Sequence, residues 1–203
     1  MYSIIRLLIG GIFLLCAIIM IKKSNAVKKK LLVILAAIGA VVLTMALAFV
    51  PFENLFVTFH SPEAAYGYFT GETNIRIVVE GQQSDYVVGG SGDKNVSLIV
   101  PKTNDGWKVG IGADTKLVSQ SIQDGIVLYV YRYQNTNEYY LTVFDTNGGT
   151  SEITDCMGSE FYPVAQANAA LDKEFVTYYS YLPNPDPSYW ISVNNITITP
   201  FEE

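Results

Sequence analysis

Two long apolar runs occupy the first quarter of the chain. Ile4 to Ile21 is interrupted by a single charged residue, Arg6, and Leu31 to Val50 carries no charge. About twenty apolar residues, each rising ~1.5 Å along a helix, cross the roughly 30 Å hydrocarbon core of a bilayer. We therefore expect transmembrane helices over residues 4–21 and 31–50. Arg6 lies near enough to the end of its run to extend toward the lipid head groups.

The connection between the two runs, residues 22–30, is rich in lysine. Short loops with many lysine and arginine residues stay in the cytoplasm. The sequence thus predicts a cell-membrane protein with two spans, a cytoplasmic loop, and a C-terminal domain outside the cell. Residues 1–50 are the transmembrane hairpin, 51–60 a juxtamembrane stalk, and 61–203 the extracytoplasmic domain. Five residues carry this topology signal: Lys22, Lys23, Lys28, Lys29 and Lys30.

A second interpretation of the second run is open. Ala46-Leu47-Ala48 has the small-x-small form of a signal-peptidase site, and cleavage after Ala48 would release the outer domain. The apolar run is longer than that of a usual signal peptide, and another span precedes it. Both facts favour a retained anchor.

Beyond the stalk the pattern changes to short strands. One helix is expected first, with Ser61 as its cap, Pro62 in its first turn and Gly71 at its end. Period-two and β-branched runs follow, and a second short helix is expected over Ala165–Lys173. The fold class is a mainly antiparallel β (α+β) domain on a two-helix membrane anchor. Four hairpins are predicted: Ile75–Glu80 with Asp85–Val88, Val96–Pro101 with Trp107–Ile111, Ile126–Tyr133 with Tyr139–Asp145, and Phe175–Tyr181 with Tyr189–Thr199.

The last two predicted hairpins look alike and are crowded with tyrosine. Their residues match at an offset of about fifty positions, which indicates a duplicated hairpin within one sheet. Adjacent pairs such as Tyr139-Tyr140 and Tyr178-Tyr179 must point to opposite faces of a strand. We therefore take Tyr140 and Tyr179 as a possible interaction surface, since exposed tyrosines suit contacts with proteins or sugars. The alternative is a sandwich that buries both faces.

Charge divides the chain at the same place as hydropathy. Six basic residues and no acidic one precede residue 51, while seven basic and nineteen acidic residues follow it, so the two parts carry +6 and −12. A charge of −12 argues against nucleic acid and anionic lipid head groups as partners of the outer domain. Cys16 and Cys156 lie on opposite sides of this boundary and predict no disulfide framework.

Catalytic and metal motifs are weak. His60 stands alone, so a histidine-dependent triad or a zinc site has little support. The run that begins at Asp145 resembles a calcium loop but lacks its glycine and its final glutamate, which leaves only a weak calcium site. The Gly89–Lys94 stretch precedes a strand and not a helix, unlike phosphate-binding loops. We expect no catalytic residue, no metal and no cofactor. Carboxylate pairs that could do acid–base work are Glu152 with Asp155 and Asp172 with Glu174.

Three segments carry a resemblance: Ser61–Ala65, Asn104–Lys108 and Ile153–Phe161. Together they resemble small uncharacterised membrane proteins of low-GC Gram-positive bacteria. The resemblance implies an envelope location and supplies no functional residue.

These observations favour a non-enzymatic, envelope-anchored binding protein. Its expected partners are the lipid bilayer and an envelope protein, a peptide or a wall polymer. One alternative is a membrane sensor or immunity-type accessory subunit, for which the nine-residue cytoplasmic loop is small. A carboxylate-dependent, wall-active enzyme is the other.

Overall fold

The computed structural model describes residues 2–23, 28–90, 95–110, 114–168 and 173–201. They form two compact units, Met1–Val57 and Thr58–Glu203, and the sequence boundary between the units falls within the predicted stalk. The first unit contains two long helices, α1 (Tyr2–Lys23) and α2 (Lys29–Phe49). Both are long and apolar enough to cross a membrane.

The two long helices pack as a hairpin through small residues. Gly10 is buried, and a Cβ at this position would overlap the side chain of Thr44. Ala40 is buried in the same seam, and Thr44 donates its hydroxyl to the carbonyl of Ala40 at 2.8 Å. Gly11, by contrast, has open space around its α-carbon. Close approach of the helices therefore depends on Gly10 and not on Gly11.

Arg6 does not extend to the surface of the hairpin as expected. Its side chain is 2% exposed, and it forms an ion pair with Glu53, which lies in a 3-10 turn at Phe52–Leu55. The remaining N–H groups donate to the main-chain carbonyls of Tyr2, Leu47 and Val50. All the donors of the guanidinium are thus satisfied, which explains why a charge is tolerated there.

The second unit begins with the helix α3 (Pro62–Thr70). Ser61 caps it by accepting the Ala64 N–H, and Gly71 ends it with φ of 81°, as the sequence predicts. Twelve strands follow in the described residues: β1 (Ile75–Glu80), β2 (Ser84–Gly89), β3 (Val96–Thr103), β4 (Gly106–Trp107), β5 (Thr115–Gln123), β6 (Ile126–Tyr133), β7 (Glu138–Asp145), β8 (Ile153–Asp155), β9 (Tyr162–Asn168), β10 (Lys173–Pro183), β11 (Ile191–Val193) and β12 (Ile196–Ile198).

The described strands form three antiparallel sheets. The first has the order β1-β2-β3-β4, the second β5-β6-β7-β10-β9 and the third β12-β11-β8. Helix α3 packs on the first sheet, with Ala65 and Tyr66 fully buried against Val87 and Val100. The first sheet then packs on the second, and the second on the third. The unit is therefore layered, with the five-stranded sheet covered on both faces.

The four predicted hairpins have different outcomes. β1 with β2 and β6 with β7 are confirmed. The hairpin of β3 is confirmed only at its turn, because β4 ends at Trp107 and Ile111 lies outside the described residues. The fourth is wrong, because β10 pairs with β7 and β9, while β11 and β12 lie in the third sheet. Tyr129 consequently faces the first sheet and Tyr178 the third, so the two hairpins are not copies.

The expected helix at Ala165–Lys173 is also wrong where it is described. Residues up to Asn168 belong to β9, and Lys173 begins β10. Pairing with a long neighbouring strand outweighs the modest helix preference of the alanines here. Residues 169–172 lie outside the described residues, as do residues 91–94 of the predicted glycine-rich loop.

Candidate functional site

The two tyrosines expected on an interaction surface are interior residues. Tyr140 is 0% exposed and Tyr179 is 3% exposed. Both point from the five-stranded sheet toward the four-stranded sheet and belong to the core between them. The prediction of their exposure is wrong, because other sheets cover both faces of β7 and β10, the strands that carry them. The sandwich alternative accounts for them.

Tyr86 of β2 is the centre of this aromatic core. Its ring centroid lies 5.3 Å from that of Tyr140, 6.0 Å from that of Tyr179 and 6.1 Å from that of Tyr131. Such offset and tilted arrangements are the favourable ones for aromatic rings. Much of the tyrosine excess is therefore packing between two sheets.

A buried carboxylate ties the β1–β2 turn to the five-stranded sheet. Glu138 Oε1 accepts the main-chain N–H groups of Gln82 at 2.6 Å and Gln83 at 2.8 Å, and the hydroxyl of Tyr181 at 2.9 Å. Its Oε2 accepts the hydroxyl of Ser84 at 2.9 Å. Four donors on one carboxylate offset the cost of burying its charge. The bond to Glu138 also fixes the position of the Tyr181 ring.

The same turn has no room for a side chain at Gly81. A Cβ there would overlap the hydroxyl of Tyr140 and the carbonyl of Ser84. Tyr140 donates to that carbonyl at 2.7 Å. Hydrogen bonds from Tyr140 and to Glu138 therefore both hold the turn, and together they fix the position of the end of β1.

Asp85, which follows Ser84 on β2, is a second buried carboxylate. It accepts hydrogen bonds from Trp107 Nε1 and the Gly81 N–H, and Lys102 Nζ lies 3.8 Å away. Burial raises the pKa of Asp85 despite these partners. Its contacts join β2, β3 and β4, which is a structural role.

A cleft of about 360 Å³ opens between β1 and β9, which are the end strands of the first and second sheets. Its size is at the lower end of the range for ligand sites, about 300–1,000 Å³. Two apolar residues, two carboxylates and two tyrosines line it: Val78, Val79, Glu80, Glu160, Tyr162 and Tyr181. This mixture of apolar, acidic and aromatic groups makes the cleft the best candidate for a binding site.

The cleft is negatively charged. Tyr162 donates its hydroxyl to Glu160 at 2.7 Å, and this bond, some burial and the charges of Glu160 and Glu80 raise the pKa of Tyr162. Burial, followed by the bond to Glu138, raises the pKa of Tyr181 to about 12. Both tyrosines are therefore neutral at pH 7. In the part of the chain that the structure describes, Glu80 and Glu160 have no lysine or arginine nitrogen within 4.0 Å.

The free edge of β1 adds backbone groups beside the cleft. Residues of an antiparallel strand alternate between bonding to the partner strand and pointing away from it. The Gly81 N–H donates to the Ser84 carbonyl at 2.9 Å, so Gly81 and Val79 bond toward β2. Val78 and Glu80 consequently direct their N–H and C=O groups away from β2, at the edge where both residues line the cleft.

The edge of β9 is better protected. Pro163 has no N–H to offer, and Arg76 donates to the carbonyl of Ala165 at 3.3 Å. Proline and charged side chains are common means of blocking an end strand. Arg76 itself belongs to β1 and bridges to β9, so the part of β1 that is open to a further strand is Val78 to Glu80.

The carboxylates considered earlier for acid–base work or calcium are engaged elsewhere. Asp155 accepts from the N–H groups of Met157 and Ser159 and from the hydroxyl of Tyr189. Burial opposes its ionisation, but these bonds outweigh burial and lower the pKa of Asp155. Asp145 accepts from Asn147 and Asn194. Among the described residues no three His, Cys, Asp or Glu side chains are grouped to hold a metal.

The other candidate residues lie apart from the cleft. His60 and Glu152 are exposed, Asp172 lies outside the described residues, and the side chain of Glu174 is likewise not described. Lys22 and Lys29 meet at the turn of the long hairpin, where Lys29 Nζ donates to the Lys22 carbonyl at 3.2 Å.

A scan against protein-family models, a search of curated proteins and a search of solved structures all find no match to this chain. The site must therefore be judged on its own geometry.

Sequence reasoning missed the cleft because it missed β9. Glu160 and Tyr162 lie in a segment whose sequence looks like a loop, and Glu80 looks like the polar end of a hairpin strand. Pro163 was the available signal, since a proline within a β-branched or aromatic run marks an end strand. Nothing local to the sequence places that end strand beside β1.

Proposed function

We propose that this chain is a membrane-anchored, non-enzymatic binding protein that displays an acidic β domain outside the cytoplasm. The observation that carries the proposal is the cleft between β1 and β9, which combines two carboxylates, two tyrosines and the backbone groups of β1 that point away from β2. Ligand sites typically join an apolar lining to a few polar groups in this way.

The two long apolar helices and the lysines between them support the anchor and its orientation. A loop with Lys22, Lys23, Lys28, Lys29 and Lys30 favours the cytoplasm under the positive-inside rule, which puts the C-terminal unit on the other side. The Arg6–Glu53 ion pair fits this role, since it holds the ends of the hairpin that lie opposite the lysines.

The hydrogen bonding and exposure of the carboxylates favour binding over catalysis. Glu138, Asp85 and Asp155 use their oxygens to accept hydrogen bonds that hold strands and turns together. An acid–base pair needs two groups in one cleft with pKa values pushed apart. Glu80 and Glu160 share the cleft, but both are exposed.

Site-directed photocrosslinking tests this function. The full-length chain would carry p-benzoylphenylalanine in place of Tyr162 in its native cells, and a matched chain would carry it in place of Thr197, an exposed residue of β12. We expect a discrete adduct from position 162 alone, and its loss when Glu80→Gln and Glu160→Gln are added. Equal adducts from both positions, or none from either, would contradict the proposal.

A further inference from the structure

The identity of the occupant follows from the cleft's own chemistry. We infer that the cleft binds an extended, lysine- or arginine-bearing segment of another polypeptide, an inference that rests on the proposed function. The segment would lie along β1 and place one cationic side chain between Glu80 and Glu160.

Charge is the first argument. The unit after Val57 has eighteen acidic and seven basic residues, and in the cleft the described carboxylates have no basic neighbour within 4.0 Å. A cation entering the cleft would meet two carboxylates, while an anion would be repelled by both. The field of the whole unit acts in the same direction, because it attracts basic partners and speeds their encounter.

The aromatic lining is the second argument. Tyr162 and Tyr181 line the same cleft as the carboxylates, and each is neutral at pH 7, because the ordinary tyrosine pKa of 10.0 lies well above 7 and is raised further here. Neutral tyrosine rings attract ammonium and guanidinium groups through their electron-rich faces. The cleft volume of about 360 Å³ is large enough for one long side chain.

The backbone of β1 distinguishes a polypeptide from a free amine. Val78 and Glu80 each direct an N–H and a C=O away from β2, two residues apart, which is the repeat of a neighbouring strand. Strand addition to a free edge uses such groups for affinity and side-chain pockets for specificity. A small amine would use the carboxylates and leave these backbone groups unused.

Peptide binding to the full-length chain in lipid nanodiscs tests the inference. The probe is a fluorescent eight-residue peptide of alternating threonine and lysine, followed by anisotropy. We expect the Glu80→Gln, Glu160→Gln double variant to weaken binding about tenfold, since each exposed ion pair contributes modestly. The matched control, Asp124→Asn with Glu152→Gln, removes two exposed charges outside the cleft and should change affinity less than about twofold.

Three further arms make the outcome decisive. Replacing lysine by glutamate in the probe should abolish binding, methylating alternate backbone nitrogens should weaken it, and 1,5-diaminopentane should fail to displace it at equal concentration. Equal weakening by both double variants would mean non-specific attraction and would overturn the inference. If position 162 still gives its crosslinked adduct while the lysine peptide does not bind, the occupant is wrong and the binding function stands. If both fail, both are wrong.

Discussion

Arg6 and Glu53 form a bidentate ion pair, with N–O distances of 2.6 and 2.8 Å, between residues that are 47 positions apart in sequence. The pair joins the start of α1 to the turn that follows α2. Both side chains are buried, at 2% and 7% exposure. The ends of the helix hairpin are therefore joined by a charge pair and not only by apolar packing.

Breaking this pair should be costly. Glu53→Gln leaves the Arg6 charge buried without its counter-ion, and we expect a loss of about 3–5 kcal/mol in the stability of the hairpin. Unfolding of the purified chain by SDS in mixed micelles measures this. Replacing both partners, Arg6→Met with Glu53→Leu, should restore most of that loss because no charge then remains buried. A single variant as stable as the parent would show that the pair is not sequestered.

Glu138 should be a determinant of stability in the second unit. Glu138→Gln keeps the shape but turns an amide nitrogen toward groups that are themselves donors, and we expect a loss of about 2–4 kcal/mol. Tyr181→Phe removes only one of the four bonds and should cost about 1–3 kcal/mol. Urea unfolding, followed by tyrosine and tryptophan fluorescence, compares them. Equal effects would mean that the Gln82, Gln83 and Ser84 bonds contribute little.

The buried tyrosines should behave as core residues. Tyr140→Ser and Tyr179→Ser empty space between the two larger sheets, so each should cost about 3–5 kcal/mol, as for other truncations of aromatic residues. Tyr162→Ser, at the half-exposed wall of the cleft, should cost clearly less. Melting temperatures of the three variants give the comparison. A Tyr140→Ser variant that melts with the parent would place this tyrosine at the surface.

Alkaline pH should unfold the second unit. Burial raises the pKa of Tyr181 to about 12 and that of Tyr133 to about 12, and it also raises the pKa values of Tyr86, Tyr140 and Tyr189. A folded pKa above the unfolded value of 10.0 gives stability that is complete below pH 10 and lost as pH rises toward 12. Absorbance at 295 nm should report tyrosinate formation together with loss of circular dichroism. Tyr181→Phe should flatten the pH dependence, and ionisation well before unfolding would contradict the burial.

Cys156 offers a native test of topology. It is an exposed free cysteine of the second unit, so under the proposed topology a membrane-impermeant maleimide should label it in intact cells. A Cys156→Ser chain should lose that label, and an Asn25→Cys version of it should be labelled only after lysis. Replacing all five loop lysines by glutamine should mix the orientations, because Arg6 alone would then carry the bias. The reverse pattern of labelling would overturn the assignment of compartments.

Local features of the fold could be predicted from sequence, because nearby residues determine them. Ser61 and Gly71 bound α3 through a cap and a left-handed residue. The turns at Gly81 and Gly106 similarly place β1 against β2 and β3 against β4. In each of these cases the partners are fewer than fifteen residues apart.

Long-range pairing could not be predicted in the same way. Tyr178 pairs with Val143 on one side and with Pro163 on the other, whereas local reasoning paired its strand with the segment after Tyr189. The proline-rich connection at 183–187 looks like a hairpin turn, but it carries the chain from one sheet to another. The cleft depends on this long-range pairing, because β9 lies beside β1 only when β10 pairs with both β7 and β9.

The placement of the five-stranded sheet between two others limits where this domain can change. Residues on the solvent-exposed face of a strand tolerate substitution. In contrast, β6, β7 and β10 are packed against another sheet on each of their two faces. New binding preferences would then arise at the sheet borders and turns, where β1 and the segment before β9 lie. A saturation mutagenesis scan of the chain would show two kinds of tyrosine. Most substitutions of Tyr86 and Tyr140 would prevent folding, whereas substitutions of Tyr162 would leave the fold intact and change which partner binds.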